Sequence, residues 1–165
     1  IEMRFDSTDK KGTPICSNRV GVFVRGAGGF GAAAQPKKDV PAIPQGNPDF
    51  VFDSPTEVNQ AALYRMSGDR NPLHIDPAIA QAVGFKEPIL HGLCTYGVVC
   101  RRFVKEIFQG DSGKLKSYSA RFSSPVIPGQ SLQAKVWQPR AGLYLLEVFN
   151  AKGEAVLRNG VIESR

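Results

Sequence analysis

Four strand-like runs follow one another in the last third of the chain, with short turns between them. They cover residues 115–124, 131–139, 142–150 and 154–163. The turns contain glycine or proline, as in Pro128-Gly129 and Lys152-Gly153, which is typical of the connections in an antiparallel meander. We therefore predict four consecutive antiparallel strands.

A long apolar segment precedes these strands. Residues 93–100 are nearly all apolar or small, so the pattern predicts a helix that is buried on most sides. Small residues such as Gly97 would let strands approach the helix backbone closely. One buried helix followed by a meander predicts the α+β class.

Two shorter helices are predicted upstream. Asp53 or Ser54 would cap the first, with Pro55 in its first turn and residues 61–63 continuing it. The second would start at Asp76-Pro77, with Asp76 as its cap rather than a catalytic group, and would end at Gly84.

The N-terminal region has a different composition. Residues 2–25 contain two strand-like runs, Gly26–Gly31 is rich in glycine, and residues 32–49 form a proline-rich stretch typical of a linker. No Lys-Ser/Thr pair follows the glycines, so a phosphate-binding loop is not favoured. We predict one unit ending near residue 31 and a second over residues 50–165.

Size and charge indicate one globular core. The 165 residues are 42% hydrophobic and 22% charged, and no apolar run approaches the roughly 20 residues that span a bilayer. The net charge of +6 would suit a substrate that carries phosphates, but basic residues without interleaved aromatics do not predict nucleic-acid binding. Because the chain begins with Ile1, we expect it to continue a longer protein.

Cysteine usage gives no sign of a metal site. Cys16, Cys94 and Cys100 form no C-x-x-C pair, and the chain has only two histidines. We expect free thiols, a reducing compartment and no bound metal.

The chemically most informative segment is residues 64–74. It places Asp69 and His74 five positions apart, and Gly68 and Pro72 prevent a regular helix throughout. A carboxylate and an imidazole held close together can activate a water or move a proton. The same residue types also occur in plain turns, so spacing alone leaves both interpretations open.

The whole segment resembles a known signature. The MaoC-like (R)-specific enoyl-CoA hydratases carry an aromatic, a small residue and then Gly-Asp-x-Asn-Pro-hydrophobic-His. The matching residues here are Tyr64, Ser67, Gly68, Asp69, Asn71, Pro72, Leu73 and His74. Pro88–Gly97 and Ala120–Phe122 also resemble later parts of these domains. The resemblance implies a hot-dog fold, in which an antiparallel sheet wraps round a central helix.

The resemblance also implies roles for particular residues. Asp69 and His74 would be the catalytic pair, Asn71 would support them, and Gly92 would donate its backbone N–H to the thioester oxygen. His91 is interpreted as a structural residue before the helix. Arg101 and Arg102 are candidates for contacting CoA phosphates, although pairing at the helix end is favoured for them.

The implied activity is reversible hydration of trans-2-enoyl-CoA to (3R)-hydroxyacyl-CoA in fatty-acid β-oxidation, without a metal or cofactor other than CoA in the substrate. Alternatives are a dehydratase acting on acyl-carrier-protein thioesters and a non-catalytic acyl-CoA-binding or dimerisation module. A hot-dog thioesterase is less favoured because the signature belongs to hydratases.

The resemblance further implies that this chain is the C-terminal half of a double hot dog. Residues 1–31 would be the last strands of an incomplete N-terminal repeat, and residues 50–165 the catalytic repeat. The missing repeat or a second copy would complete the protein, and a homodimer is expected. Relatives imply a peroxisomal location, or the cytoplasm if the protein is bacterial.

Overall fold

The computed structural model describes residues 2–21, 26 and 40–165 of the chain, which divides into compact units covering residues 1–38 and 39–165. In the first, strands β1 (Glu2–Thr8) and β2 (Pro14–Gly21) form an antiparallel hairpin. The carboxylate of Asp9 accepts the N–H groups of Thr13 and Lys11 in its turn, and these bonds lower the Asp9 pKa. Both predicted strands are confirmed, although residues 22–25, most of the glycine-rich segment and residues 32–39 of the linker lie outside the described residues.

The second unit contains a five-stranded antiparallel sheet in the order β3-β5-β6-β7-β4. Its strands are β3 (Phe50–Pro55), β4 (Leu115–Phe122), β5 (Ser131–Arg140), β6 (Leu143–Phe149) and β7 (Ala155–Ser164). The last four are the predicted meander strands, with ends that differ by one or two residues. The four strands are therefore confirmed, but the predicted meander holds only for β5, β6 and β7, because β4 pairs with β7 and not with β5. Residues 123–130 between β4 and β5 are longer than a tight hairpin turn, so the order of these two strands in the sequence does not determine their pairing.

Strand β3 replaces the helix that was predicted to start at Asp53 or Ser54. These two residues pair with Gln133 and Leu132 of β5, and burial alternates, with Phe52 and Ser54 buried and their neighbours exposed. Helix α1 begins only at Gln60 and ends at Tyr64. The prediction was wrong because pairing with β5, which is distant in sequence, outweighs the local preference of Asp-Ser-Pro for a helix start.

Helix α3 (Gly92–Ile107) contributes to the same core as the sheet, through Cys94, Val99 and Phe103. The opposite side is exposed in this chain: Leu93 is 64% exposed, and a Cβ added at Gly97 would meet no atom within 4 Å. The prediction that this helix is buried on most sides, with strands close to Gly97, was therefore wrong. Apolar content alone cannot tell a core face from a face that a further part of the protein could cover.

Helix α2 (Pro77–Ala82) starts as predicted. The carboxylate of Asp76 accepts the N–H groups of Ala78 at 2.8 Å and Ile79 at 3.4 Å. This is the N-cap arrangement, so the structural role of Asp76 is confirmed. Among the residues that the structure describes, no helix is long and apolar enough to cross a bilayer.

Strand β7 has a glycine where no side chain fits. A Cβ at Gly160 would lie 2.6 Å from the carbonyl oxygen of Leu146 in the neighbouring strand. We expect Gly160→Ala to lower the free energy of unfolding by about 1–3 kcal/mol, because the strands must separate locally. Urea denaturation would measure this.

The matched control is Gly97→Ala, which adds the same methyl group where α3 has open space. It should raise the free energy of unfolding by roughly 0.5–1 kcal/mol, since alanine favours a helix over glycine. Equal stability of the two variants would show that the close approach of β6 and β7 at Gly160 does not exclude a side chain there.

Candidate active site

The loop after α1 carries the candidate catalytic residues. A 3-10 turn (Arg65–Ser67) ends at Gly68, whose φ of +122° is rarely adopted by other residues. A second 3-10 turn (Pro72–His74) follows. Asp69 lies between the two turns, so the prediction of a non-helical loop is confirmed.

Two short-range hydrogen bonds fix the shape of this loop. The carboxylate of Asp69 accepts the backbone N–H of Asn71 at 3.2 Å, and the side-chain oxygen of Asn71 accepts the N–H of Leu73 at 3.1 Å. Asn71 thus caps the second turn while its backbone holds the Asp69 carboxylate. The side chain of Asp69 remains exposed, where a substrate can reach it.

The ring of His74 is buried and is fixed by a hydrogen bond to a different segment of the chain. It is 9% exposed, and its Nδ1 lies 2.7 Å from the carbonyl oxygen of Ile89. A carbonyl oxygen only accepts hydrogen bonds, so Nδ1 must carry the proton. In the neutral ring Nε2 therefore has a free lone pair, which is the state required of a base.

His91 lies directly against His74. The two ring centroids are 3.7 Å apart with an interplanar angle of 27°, and His91 Nε2 lies 3.1 Å from the carbonyl oxygen of Asp69. The sequence places His91 before α3 but does not indicate these contacts, because the two histidines belong to separate elements. One feature of the sequence could have indicated these contacts: both histidines of the chain lie in segments that resemble the same family.

These side chains form one cluster. One potential ligand atom each from Asp69, His74 and His91 lies within 4.8 Å of the others. One nitrogen of each imidazole already bonds a carbonyl oxygen, which leaves a single free nitrogen on each ring. The arrangement suits proton transfer through His74 and Asp69. That the site binds no metal remains a prediction.

Gly92 and His74 line the same cavity, of about 310 Å³. Gly92 is the first residue of α3, where backbone N–H groups have no acceptor within the helix. A Cβ at this position would lie 3.3 Å from the ring of Phe122, so a side chain here would crowd a residue that lines the same cavity. The remaining cavity lining is mainly apolar: Phe85, Ile89, Leu90, Thr95, Phe122, Ser123, Ser124, Pro125, Val126 and Val156.

Comparison with known families places this geometry in context. Residues 39–148 match the family described as "MaoC like domain". This chain belongs to that family. In structure, the MaoC-like domain superposes on a MaoC-like dehydratase from Phytophthora capsici with a TM-score of 0.87 at 38% identity, over 99% of this chain and 58% of the other. The predicted hot-dog fold is confirmed.

Two curated relatives are also similar to the MaoC-like domain. Peroxisomal multifunctional enzyme type 2 of Mus musculus is 42% identical over 90% of this chain, and the peroxisomal enoyl-CoA hydratase 2 of Arabidopsis thaliana is 44% identical over 76%. The aligned parts are 20% and 44% of those proteins. The MaoC-like chain thus spans less than half the length of either relative.

The two arginines of α3 differ in their surroundings. Arg102 forms an ion pair of 3.2 Å with Glu106, one turn further along the MaoC-like helix, which confirms the favoured interpretation of Arg102 as a helix-end partner. Arg101 is exposed. Contact of either arginine with CoA phosphates stays a prediction.

His91 should make the stability of the MaoC-like domain depend on pH. Burial lowers the pKa of His91 below the usual 6.5, and the neighbouring His74 and Arg65 act in the same direction, against opposing effects of Asp69. Below about pH 6.5 the unfolded chain therefore binds a proton that the folded chain does not. The free energy of unfolding should fall as the pH falls below 6.5, until the lowered pKa is reached.

Urea denaturation of the native chain and of His91→Gln at several pH values between about 7.5 and 5 would test this expectation. Glutamine does not titrate, so the acid-side loss of stability should be smaller in the variant. Parallel pH dependences would contradict the inferred shift in the pKa of His91.

Proposed function

We propose that this protein catalyses the reversible hydration of trans-2-enoyl-CoA to (3R)-hydroxyacyl-CoA in fatty-acid β-oxidation. The observation that carries the proposal is the placement of Asp69 and His74 side by side, with His74 and the first N–H of α3 on one cavity. The relative from Arabidopsis thaliana bears the name of this activity. The enzyme would be a hydro-lyase, and dehydration of the hydroxyacyl thioester is its reverse reaction.

The reaction needs one water and two proton transfers. The water oxygen bonds to C3 of the enoyl group, the π electrons of the double bond move towards the thioester oxygen, and C2 then takes up a proton. Asp69 and His74 would share the removal of the water proton and the delivery of the proton to C2. The free Nε2 of His74 and the exposed carboxylate of Asp69 suit either assignment.

Gly92 would stabilise the negative charge on the thioester oxygen. Its N–H lies at the start of a 16-residue helix, where unpaired N–H groups and the helix dipole favour an anion. One such donor typically contributes a factor of about 10²–10³ to the rate. Asn71 would hold the loop in shape and keep the Asp69 carboxylate in place.

The chemistry requires only proton transfer and charge stabilisation. We therefore propose that the enzyme uses no metal or cofactor, and that CoA enters as part of the substrate. The formal charge of +6 fits a substrate with several phosphates.

We also propose that this chain is the C-terminal part of a double hot dog. The β1–β2 hairpin would be the end of the first repeat, residues 32–49 the linker, and residues 50–165 the catalytic repeat. The support is that the chain covers 58% of the Phytophthora capsici protein and leaves Leu93 of α3 exposed. A first repeat or a second copy of the chain would cover that face, and the names of the mouse and Arabidopsis relatives support a peroxisomal location.

The proposed function is tested by following the loss of conjugated enoyl-thioester absorbance with trans-2-enoyl-CoA. The protein should be assayed alone and joined to the part of the Phytophthora capsici relative that this chain does not cover, so that a missing part does not hide the activity. Turnover of CoA thioesters in either form is the expected result. Preference for the acyl-carrier-protein thioester would favour the dehydratase alternative, and acyl-CoA binding without turnover in both forms would indicate a binding module.

A further inference from the structure

We infer that His91 is a positioning residue, which fixes Asp69 and His74 relative to each other and to the N–H of Gly92. The inference rests on the proposed function, which gives Asp69 and His74 their catalytic roles. His91 would not itself touch the substrate's reacting atoms. It would act through the two groups that it contacts.

The side chain of His91 contacts both catalytic residues. The backbone of Asn71 also joins them, since its N–H donates to the Asp69 carboxylate at 3.2 Å and its carbonyl accepts the backbone N–H of His74 at 3.3 Å, but this bond reaches the backbone of His74 and not its ring. Asp69 is held locally by the N–H of Asn71, and His74 is held by the carbonyl of Ile89. Each of these bonds fixes one catalytic group without reference to the other. The ring of His91 contacts both, by bonding the Asp69 carbonyl and by stacking on His74.

The position of His91 in the chain extends this effect to the proposed oxyanion donor. His91 precedes Gly92 directly and is only 1% exposed. The helix that follows is anchored by Val99 and Phe103, both 0% exposed. A rigid helix therefore carries the ring that holds the proton-transfer pair, and the same turn carries the N–H of Gly92. One residue thus links all three parts of the site.

The hydrogen bonds also define the protonation of His91. Its Nε2 lies against a carbonyl oxygen and must donate. Its Nδ1 is buried and has no partner among the described residues, so a second proton there would find no acceptor. A cationic ring would also lie 3.7 Å from His74. The groups facing His91 are His74, Asp69, Arg65 and the ring of Tyr64 at 4.8 Å.

A neutral ring with a fixed tautomer holds its neighbours but does not exchange protons with them. This agrees with burial lowering the pKa of His91. The two histidines therefore have different roles: His74 keeps a free Nε2 for the reaction, and His91 keeps His74 in place.

Three variants separate the two contacts. His91→Gln retains an N–H that can reach the Asp69 carbonyl but removes the ring, His91→Phe retains a ring for stacking but removes the N–H, and His91→Ala removes both. Misplacement of catalytic groups by about 1 Å can cost about 10²-fold in rate. We expect kcat to fall by about 10²-fold in the alanine variant and by less in the other two, with KM changed by less than about threefold.

Imidazole nitrogen NMR gives a readout that does not depend on turnover. The chain has only two histidines, so any single His91 variant assigns both sets of signals. At neutral pH the native protein should show His91 with its proton on Nε2 and His74 with its proton on Nδ1. In His91→Ala, the Ile89 carbonyl should still keep the His74 proton on Nδ1, but the ring loses its stacking partner and should become more mobile in relaxation of its carbon-bound protons.

Each result decides one of the two proposals. A native His91 that is charged at neutral pH or protonated on Nδ1 would overturn the positioning role. Unchanged mobility of the His74 ring in His91→Ala would do the same, as would kcat equal to that of the native protein in all three variants. The predicted spectra in a protein that does not hydrate enoyl-CoA would reject the proposed function while leaving the positioning contacts established.

Discussion

Replacing Asp69 by asparagine is expected to lower kcat by about 10²–10⁴ while leaving the loop intact. Asparagine keeps an oxygen at the position that accepts the N–H of Asn71, so the local geometry should survive. It cannot accept or donate the proton that the hydration step requires. Steady-state kinetics on trans-2-enoyl-CoA would measure the loss, and thermal unfolding would confirm that the variant is folded.

Asp76→Asn provides the matched control. Asp76 is a second carboxylate seven positions further along, and its oxygen accepts the N–H groups of Ala78 and Ile79 at the start of α2. Asparagine is an equally good N-cap, so both activity and stability should stay close to those of the native protein. Comparable kinetics for the Asp69 and Asp76 variants would contradict the catalytic assignment of Asp69.

Replacing His74 by asparagine should have an effect of similar size. The asparagine NH₂ group can still donate to the carbonyl of Ile89, as Nδ1 of His74 does at 2.7 Å, but the basic Nε2 is lost. We expect kcat to fall by about 10²–10⁴, with a small change in the temperature of unfolding. Retention of more than a tenth of the native kcat would show that His74 is not part of the proton-transfer pair.

The strands and the central helix could be predicted from the sequence because their patterns are local. Short turns separate β5, β6 and β7, and an uninterrupted apolar run defines α3. The pairing of β4 with β7 instead of β5 is not recorded by any local pattern. Strand β3 could not be predicted in this way, since its identity depends on pairing with Gln133 and Leu132 of β5. Asp53 and Ser54 can cap a helix, but they are equally compatible with a strand once a partner strand is present.

The candidate site also combines features that local sequence determines with contacts that only the fold creates. The Asp69–His74 loop could be predicted because Gly68, Asn71 and Pro72 determine its shape within a few residues. The contact of His91 with both catalytic groups depends on how α3 is placed against that loop, which no local pattern records. The exposed face of Leu93 and Gly97 was missed for a related reason, because composition does not show which element covers an apolar surface.

The central claim is that this protein adds water to C3 of a trans-2-enoyl-CoA and gives C3 of the product the R configuration. The most direct measurement is on the product formed in ¹⁸O-labelled water by the chain joined to the part of its Phytophthora capsici relative that it does not cover. The product is analysed for label position and for configuration at C3. The account predicts (3R)-hydroxyacyl-CoA with one labelled oxygen at C3, formed by Asp69→Asn at least about 10²-fold more slowly than by the native protein. A product of S configuration, or formation of the same product by both proteins at comparable rates, would contradict it.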